Sequence, residues 1–170
     1  MKKIILSAIA LVAFGAVNAQ DMKFGAKAGA NFSNFTGDLD ADGTTSFYVG
    51  GFVDFTVSES FHVQPEVLYS MEGAKDAALN YLKVPVMAKY YVAETFNIQA
   101  GPYIGFVAGG DEIKDAVKSM DFGIGAGAAY DITENLFVDA RYNLGLQNIS
   151  DDSALDVKTT TIQVGLGYKF

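Results

Sequence analysis

The sequence predicts an all-β fold: an eight-stranded antiparallel up-and-down transmembrane β-barrel behind a cleaved N-terminal signal peptide. Three observations carry that expectation. Apolar residues recur at every second position in eight segments, the period at which side chains of a strand share one face. Aromatic rings gather at the ends of those apolar faces, with plainer aliphatic residues between them. The connections between segments alternate in length, three of them short and four long and polar.

The front of the chain stands apart from this pattern. Lys2 and Lys3 make a basic start, Ile4 to Val17 an apolar run, and Val17-Asn18-Ala19 the small residues a signal peptidase reads. Cleavage is therefore expected after Ala19, with 1–19 the signal peptide and 20–170 a single outer-membrane barrel domain. The run falls short of the roughly 20 apolar residues of a transmembrane helix. There is no Cys, so neither a lipid-anchored lipoprotein nor a disulfide-stapled domain is expected. Without Lys2 and Lys3 the net charge moves from −8 to −10, which argues against a nucleic-acid partner, since that calls for clustered Lys and Arg.

The segments follow in order. Lys23–Ser33 places Phe24, Ala26, Ala28, Ala30 and Phe32 on one face; Phe47–Val57 places Phe47, Val49, Gly51, Val53, Phe55 and Val57 there. Phe61–Met71 continues with Phe61, Val63, Pro65, Val67, Tyr69 and Met71, and Tyr81–Val92 with Leu82, Val84, Val86, Ala88, Tyr90 and Val92. Phe96–Ala108, Met120–Ile132 and Leu136–Gln147 repeat the alternation. The last segment, from Thr160 to Phe170, carries Ile162, Val164, Leu166, Tyr168 and Phe170 on its apolar face. A soluble protein rarely ends on such an open apolar edge, whereas closure of a membrane barrel pairs it with the first strand. The terminal strand is accordingly expected to run antiparallel to Lys23–Ser33. Each segment is about the 9–11 residues a tilted strand needs to cross a bilayer.

The opposite faces carry Lys23, Lys27, Asp54, His62, Glu66, Lys83, Lys89, Asp121, Asp131, Asp139, Arg141 and Lys169. A soluble calycin-like barrel would show the same alternation with the charges outward. The rings decide for the membrane: Phe24, Phe32, Phe47, Phe55, Phe61, Tyr69, Tyr90, Phe96, Phe106, Phe122, Tyr130, Tyr168 and Phe170 flank an aliphatic band, as aromatic girdles do at the two membrane interfaces. A small soluble barrel would place that bulk mid-strand to fill its core. The short turns 57–61, 92–96 and 132–136 then face the periplasm with both termini. Asn34–Ser46, Glu72–Asn80, Gly109–Ser119 and Asn148–Lys158 become the external connections.

The same residues carry a family resemblance. Tyr81-Leu82-Lys83-Val84-Pro85-Val86 followed by Lys89-Tyr90, Ala100-Gly101-Pro102-Tyr103-Ile104-Gly105, Asp121-Phe122-Gly123 and Ala140-Arg141-Tyr142-Asn143-Leu144-Gly145-Leu146 resemble strands of the PorT-like porin-family outer-membrane β-barrel proteins of Gram-negative bacteria. Gln163, Gly165, Tyr168 and Phe170 are similar to the terminal signal read by the barrel assembly machinery. The resemblance implies the fold and the outer-membrane location and fixes no activity. It also implies, as an alternative role, an accessory component of a protein secretion apparatus.

Candidate sites depend on what such a barrel can hold. Eight strands enclose an interior just wide enough for their own side chains, so the inward ions, with Tyr48, Tyr103 and Gln99, are expected to form a satisfied polar core rather than a channel. Its heart is expected to be Arg141 with Asp139, Glu66 and Asp121, joined by Lys83 and Lys89. Asp38-Leu39-Asp40-Ala41-Asp42-Gly43 matches the opening half of a calcium loop, but the twelfth position, which should be a bidentate Glu, is Val49. A solvated turn is expected there, and no metal or cofactor. The external connections hold eleven Asp or Glu and four Lys, a net of −7; the charge keeps them solvated and suits a lipopolysaccharide surface whose phosphates are bridged by divalent cations. His62, the only histidine, lies at the periplasmic end. This is the wrong end for a lipid-modifying enzyme, and no catalytic role is expected. The expected function is a structural or interaction role through the external loops, with outer-membrane lipid and lipopolysaccharide as surroundings.

Overall fold

The computed structural model describes residues 22–37, 43–74, 77–110, 119–148 and 157–170. Within them the chain forms eight strands: β1 (Met22–Gly37), β2 (Thr44–Thr56), β3 (Phe61–Ala74), β4 (Ala77–Ala93), β5 (Phe96–Gly110), β6 (Met120–Asp131), β7 (Leu136–Gly145) and β8 (Val157–Lys169). Each pairs antiparallel with its neighbour in sequence, and β8 returns to β1 to close the barrel. The closing register sets Gln163 against Asn31, Leu166 against Ala28 and Lys169 against Gly25. The backbone N–H of Phe170 donates to the Phe24 carbonyl at 2.8 Å, so the apolar edge of the terminal strand is paired to its last residue.

Both described ends of the chain lie with the three short turns, here called the terminus end; the longer connections mark the loop end. Hydroxyls shape the turns. Ser58 Oγ accepts from the N–H of Phe61 at 3.1 Å, and Thr133 Oγ1 accepts from those of Leu136 and Asn135 at 2.9 and 3.3 Å. A side-chain acceptor two or three residues before the donor fastens a tight turn locally.

At the loop end the strands outrun the expected segments, and one connection is much shorter than expected. The ladder between β3 and β4 continues through Glu72↔Leu79 to Ala74↔Ala77, so the expected loop Glu72–Asn80 is mostly strand. Its polar residues suggested a solvated loop. In a barrel with a polar lumen, however, a polar inward position is what the strand itself requires, and Glu72 is buried. At the other extreme β7 stops at Gly145, short of Gln147. Residues 1–21, which hold the expected signal peptide, lie outside the described residues. So do Asp38, Asp40 and Asp42 and most of the third and fourth long connections.

The faces are distributed as in a membrane barrel. Phe24, Ile98, Val164 and Leu166 are about half exposed, whereas Lys27, Glu66, Lys89 and Arg141 are 3% exposed or less. That inversion rules out the calycin-like arrangement, in which the apolar residues would be the buried ones. One apolar residue departs from its face. Phe55 is only 5% exposed, flanked across the ladder by Met22 on β1 and Val63 on β3. The three prolines, Pro65, Pro85 and Pro102, sit on successive strands, and each inter-strand register skips two rows beside one of them; proline has no N–H to give to the ladder.

Inward glycines make room for inward rings. Phe52 lies over Gly25, Phe137 over Gly167, Tyr103 over Gly123 and Tyr48 over Gly165, each so close that a Cβ on the glycine would overlap the ring. Phe52 and Phe137 meet edge to face with centroids 5.6 Å apart, beside Ala129. Gly167→Val should therefore cost about 1–3 kcal/mol by overpacking. The loss should appear as a lower urea midpoint, and adding Phe137→Leu should recover most of it. An unchanged midpoint for the single variant would show that the ring moves aside freely.

Candidate functional site

Among the described residues the buried charged and polar side chains gather inside the barrel, in layers stacked from the terminus end to the loop end. Strand parity turns the charged residues inward, and the small cross-section forces them together.

The terminus end opens as a cavity of about 570 Å³ lined by residues that include His62, Tyr91, Asp131 and Lys169 and the turn glutamates Glu59, Glu94 and Glu134. Lys169 Nζ and the Tyr91 hydroxyl each donate to Asp131, at 2.9 and 3.0 Å. Beneath this mouth Asp54 joins His62 Nδ1 at 2.6 Å and Lys89 Nζ at 2.8 Å. The His62 ring also packs against Tyr91, centroids 4.8 Å apart. Lys89 and Lys169 both lie over the ring of Phe137, at 5.6 and 5.4 Å, where the face of the ring attracts a cation.

The middle layer crosses the lumen. Arg141 extends from β7 to Glu66 on β3, four strands away in a ring of eight, and grips it in a fork: Nη1 to Oε2 at 3.0 Å and Nη2 to Oε1 at 2.8 Å. This planar bidentate match is specific to Arg. Arg141 Nη2 also donates to Gln99 Oε1 at 3.1 Å, and Gln64 Nε2 donates to Glu66 at 2.8 Å. Lys27 on β1 donates to Asp139 at 2.6 Å and stands 3.7 Å from Glu66, and Asp139 accepts from the Tyr48 hydroxyl at 3.3 Å. Two cations and two anions thus form one mutually neutralising belt, as buried charges require.

Toward the loop end, Asn31 donates to Ser70 at 3.0 Å, Ser70 to Glu72 at 2.7 Å, and Thr161 to Glu72 at 3.0 Å. Gln163 Nε2 donates to Asn31 Oδ1 at 2.9 Å and accepts from Asn143 at the same distance. Lys83 reaches Glu72 at 2.7 Å and covers Tyr103 at 4.3 Å.

The structure brings Arg141, Glu66 and Asp139 together and distributes the remaining expected members over other layers. Lys89 serves Asp54 and Lys83 serves Glu72. Asp121 does not approach Arg141. Arg141 is level with Gly127 on β6, and six residues of strand, about 20 Å, separate that position from Asp121. Instead Asp121 accepts from Thr159 at 3.1 Å and from Tyr103 at 3.4 Å. Lys23, on the inward parity, is exposed at the rim of the mouth. Glu72 is the ion that the sequence reading missed. Continuing the parity of Gln64, Glu66, Leu68 and Ser70 would have found it. The inward rings Phe52 and Phe137 were missed as well; the glycines that receive them, Gly25 and Gly167, were the available signal.

A family profile described as outer membrane protein beta-barrel domain matches residues 4–170. No curated protein matches the sequence. Among solved structures the chain is similar to Ail, the attachment invasion locus protein of Yersinia pestis, at 18% identity and a TM-score of 0.57, with 89% of this chain and 100% of that one covered. It is likewise similar to Neisserial surface protein A, at 15% identity and a TM-score of 0.58 over the same shares. Likeness at these identities establishes the shared barrel fold.

Proposed function

The chain belongs to the outer membrane protein beta-barrel domain family, and from that premise we propose that it is a non-conducting barrel acting through its external connections, in a structural or interaction role. The observation that carries this reading is the Arg141–Glu66 fork, which crosses the whole lumen and, with Lys27 and Asp139, occupies it at mid-height. These four residues are 1–4% exposed, and an ion passing between them would have to break the belt.

In this reading residues 1–19 direct export and are removed, the terminus end faces the periplasm, and the loop end faces outward among lipopolysaccharide. Gln163, Gly165, Tyr168 and Phe170 present the signal for the barrel assembly machinery, and the PorT-like resemblance gives the finer place within the family. The acidic character of the connections supports contact with divalent-bridged lipopolysaccharide and disfavours anionic partners. His62 is engaged by Asp54 at the terminus end, opposite the long connections, which supports a structural rather than a catalytic histidine. No described residue favours a secretion-apparatus role or lipid modification over this reading.

Reconstitution tests the proposal. Purified barrel in planar lipid bilayers should give no stepwise ion conductance, and proteoliposomes should show no swelling in small sugars. Reproducible unitary conductance from the wild-type protein would overturn the non-conducting reading.

A further inference from the structure

Charge balance along the lumen singles out its loop end. Among the described residues Lys169 faces Asp131, Lys89 faces Asp54, and Lys27 and Arg141 face Glu66 and Asp139. At the loop end the described residues set a single cation, Lys83, between Glu72 and Asp121. It is committed to Glu72 at 2.7 Å, and no described cationic side chain comes within ion-pair distance of Asp121.

Asp121 is also incompletely bonded. Its Oδ2 accepts from Thr159 and Tyr103, but Oδ1 has no partner, nor has the hydroxyl of Tyr81, and both residues are 0% exposed. The two side chains are neighbours. The ladder runs Lys83↔Gly105↔Asp121. Gly105 puts no side chain in the way, and the Tyr81 ring covers it, with Cδ1 3.3 Å from where a Cβ would stand. A buried carboxylate without a compensating charge is strongly unfavourable, and its own Oδ1 and the neighbouring Tyr81 hydroxyl oxygen are both hard donors left without a partner.

We propose that Asp121 Oδ1 and the Tyr81 hydroxyl oxygen bind a monovalent metal cation, sodium or potassium, that completes the charge balance of the lumen. Among the described residues the unbalanced charge is one, so a divalent ion would overshoot it. The described residues also offer no set of three acidic or imidazole ligands of the kind that holds a divalent metal. Oxygen donors alone suit an alkali cation, with water completing its shell. The site lies deep to the connections and is separate from the belt that blocks the lumen, so its failure would leave the non-conducting reading intact.

The test compares thermal unfolding of the detergent-folded protein in sodium, potassium and choline chloride at equal ionic strength. Binding to the folded state alone raises the midpoint with cation concentration, by about 2–4 °C at several times the dissociation constant. Choline is too large to enter. Asp121→Asn should abolish the difference and unfold no earlier than the wild type in choline, because the uncompensated charge is gone. Tyr81→Phe should fold and shift the dependence to higher cation concentration. In the wild type, the ¹³C carboxyl resonance of Asp121 should be that of a carboxylate and should move on addition of sodium. Equal midpoints in all three salts would overturn the proposal. So would a salt difference that survives Asp121→Asn, or a protonated Asp121 signal indifferent to sodium.

Discussion

Arg141→Met should cost the folded barrel about 3–5 kcal/mol, the range for removing one partner of a buried ion pair. The variant leaves Glu66 and Asp139 to share Lys27 in the middle of the lumen, and Gln99 loses its donor. The destabilisation measures the stranded charge more than the worth of the pair. The double variant Arg141→Met with Glu66→Gln should therefore recover most of it, since the amide introduced by Glu66→Gln can exchange hydrogen bonds with Gln64 and no net charge remains. Urea unfolding in phospholipid vesicles, followed by the mobility difference between heated and unheated gel samples, provides the measurement. A loss below about 1 kcal/mol for the single variant would mean that water enters and solvates the belt, which would also weaken the non-conducting reading.

Val164→Arg should cost about 2–4 kcal/mol, the penalty for a guanidinium on the lipid face near the bilayer midplane. Val164 is about half exposed, flanked in the ladder by Ala30 and Ala140 at mid-strand. On a soluble barrel an exposed position of this kind would tolerate Arg within about 0.5 kcal/mol. The same substitution at Leu136, near the girdle and opposite Tyr168, should cost far less, because the long side chain can reach the interface. A depth-independent response in vesicles would contradict the membrane assignment of this face.

The two experiments probe opposite sides of the same strand wall, and the sequence informs them unequally. The outward face was legible in detail. Alternation named its residues, the rings at Phe24, Phe61, Tyr90 and Phe122 marked its ends, and Phe55, buried at an expected outward position, is a departure that parity cannot see. The inward face was legible only as a set. Polar composition misleads at 72–80, because the residue types of a solvated turn and of a polar lumen are the same and Glu72 is an inward strand residue.

By itself the sequence determined that eight strands form, which face of each meets lipid, and that β8 closes on β1. These follow from a period of two and from local turn chemistry, both properties of residues near one another in the chain. Only the tertiary structure decided which ions meet. Arg141 and Glu66 are 75 residues apart, and their encounter depends on the stagger that brings β7 level with β3 across the lumen. Parity fixes a side chain's face but not its height. That is why Asp121, on the same face, stands about 20 Å from the belt it was expected to join, in the layer of Thr159 and Tyr103.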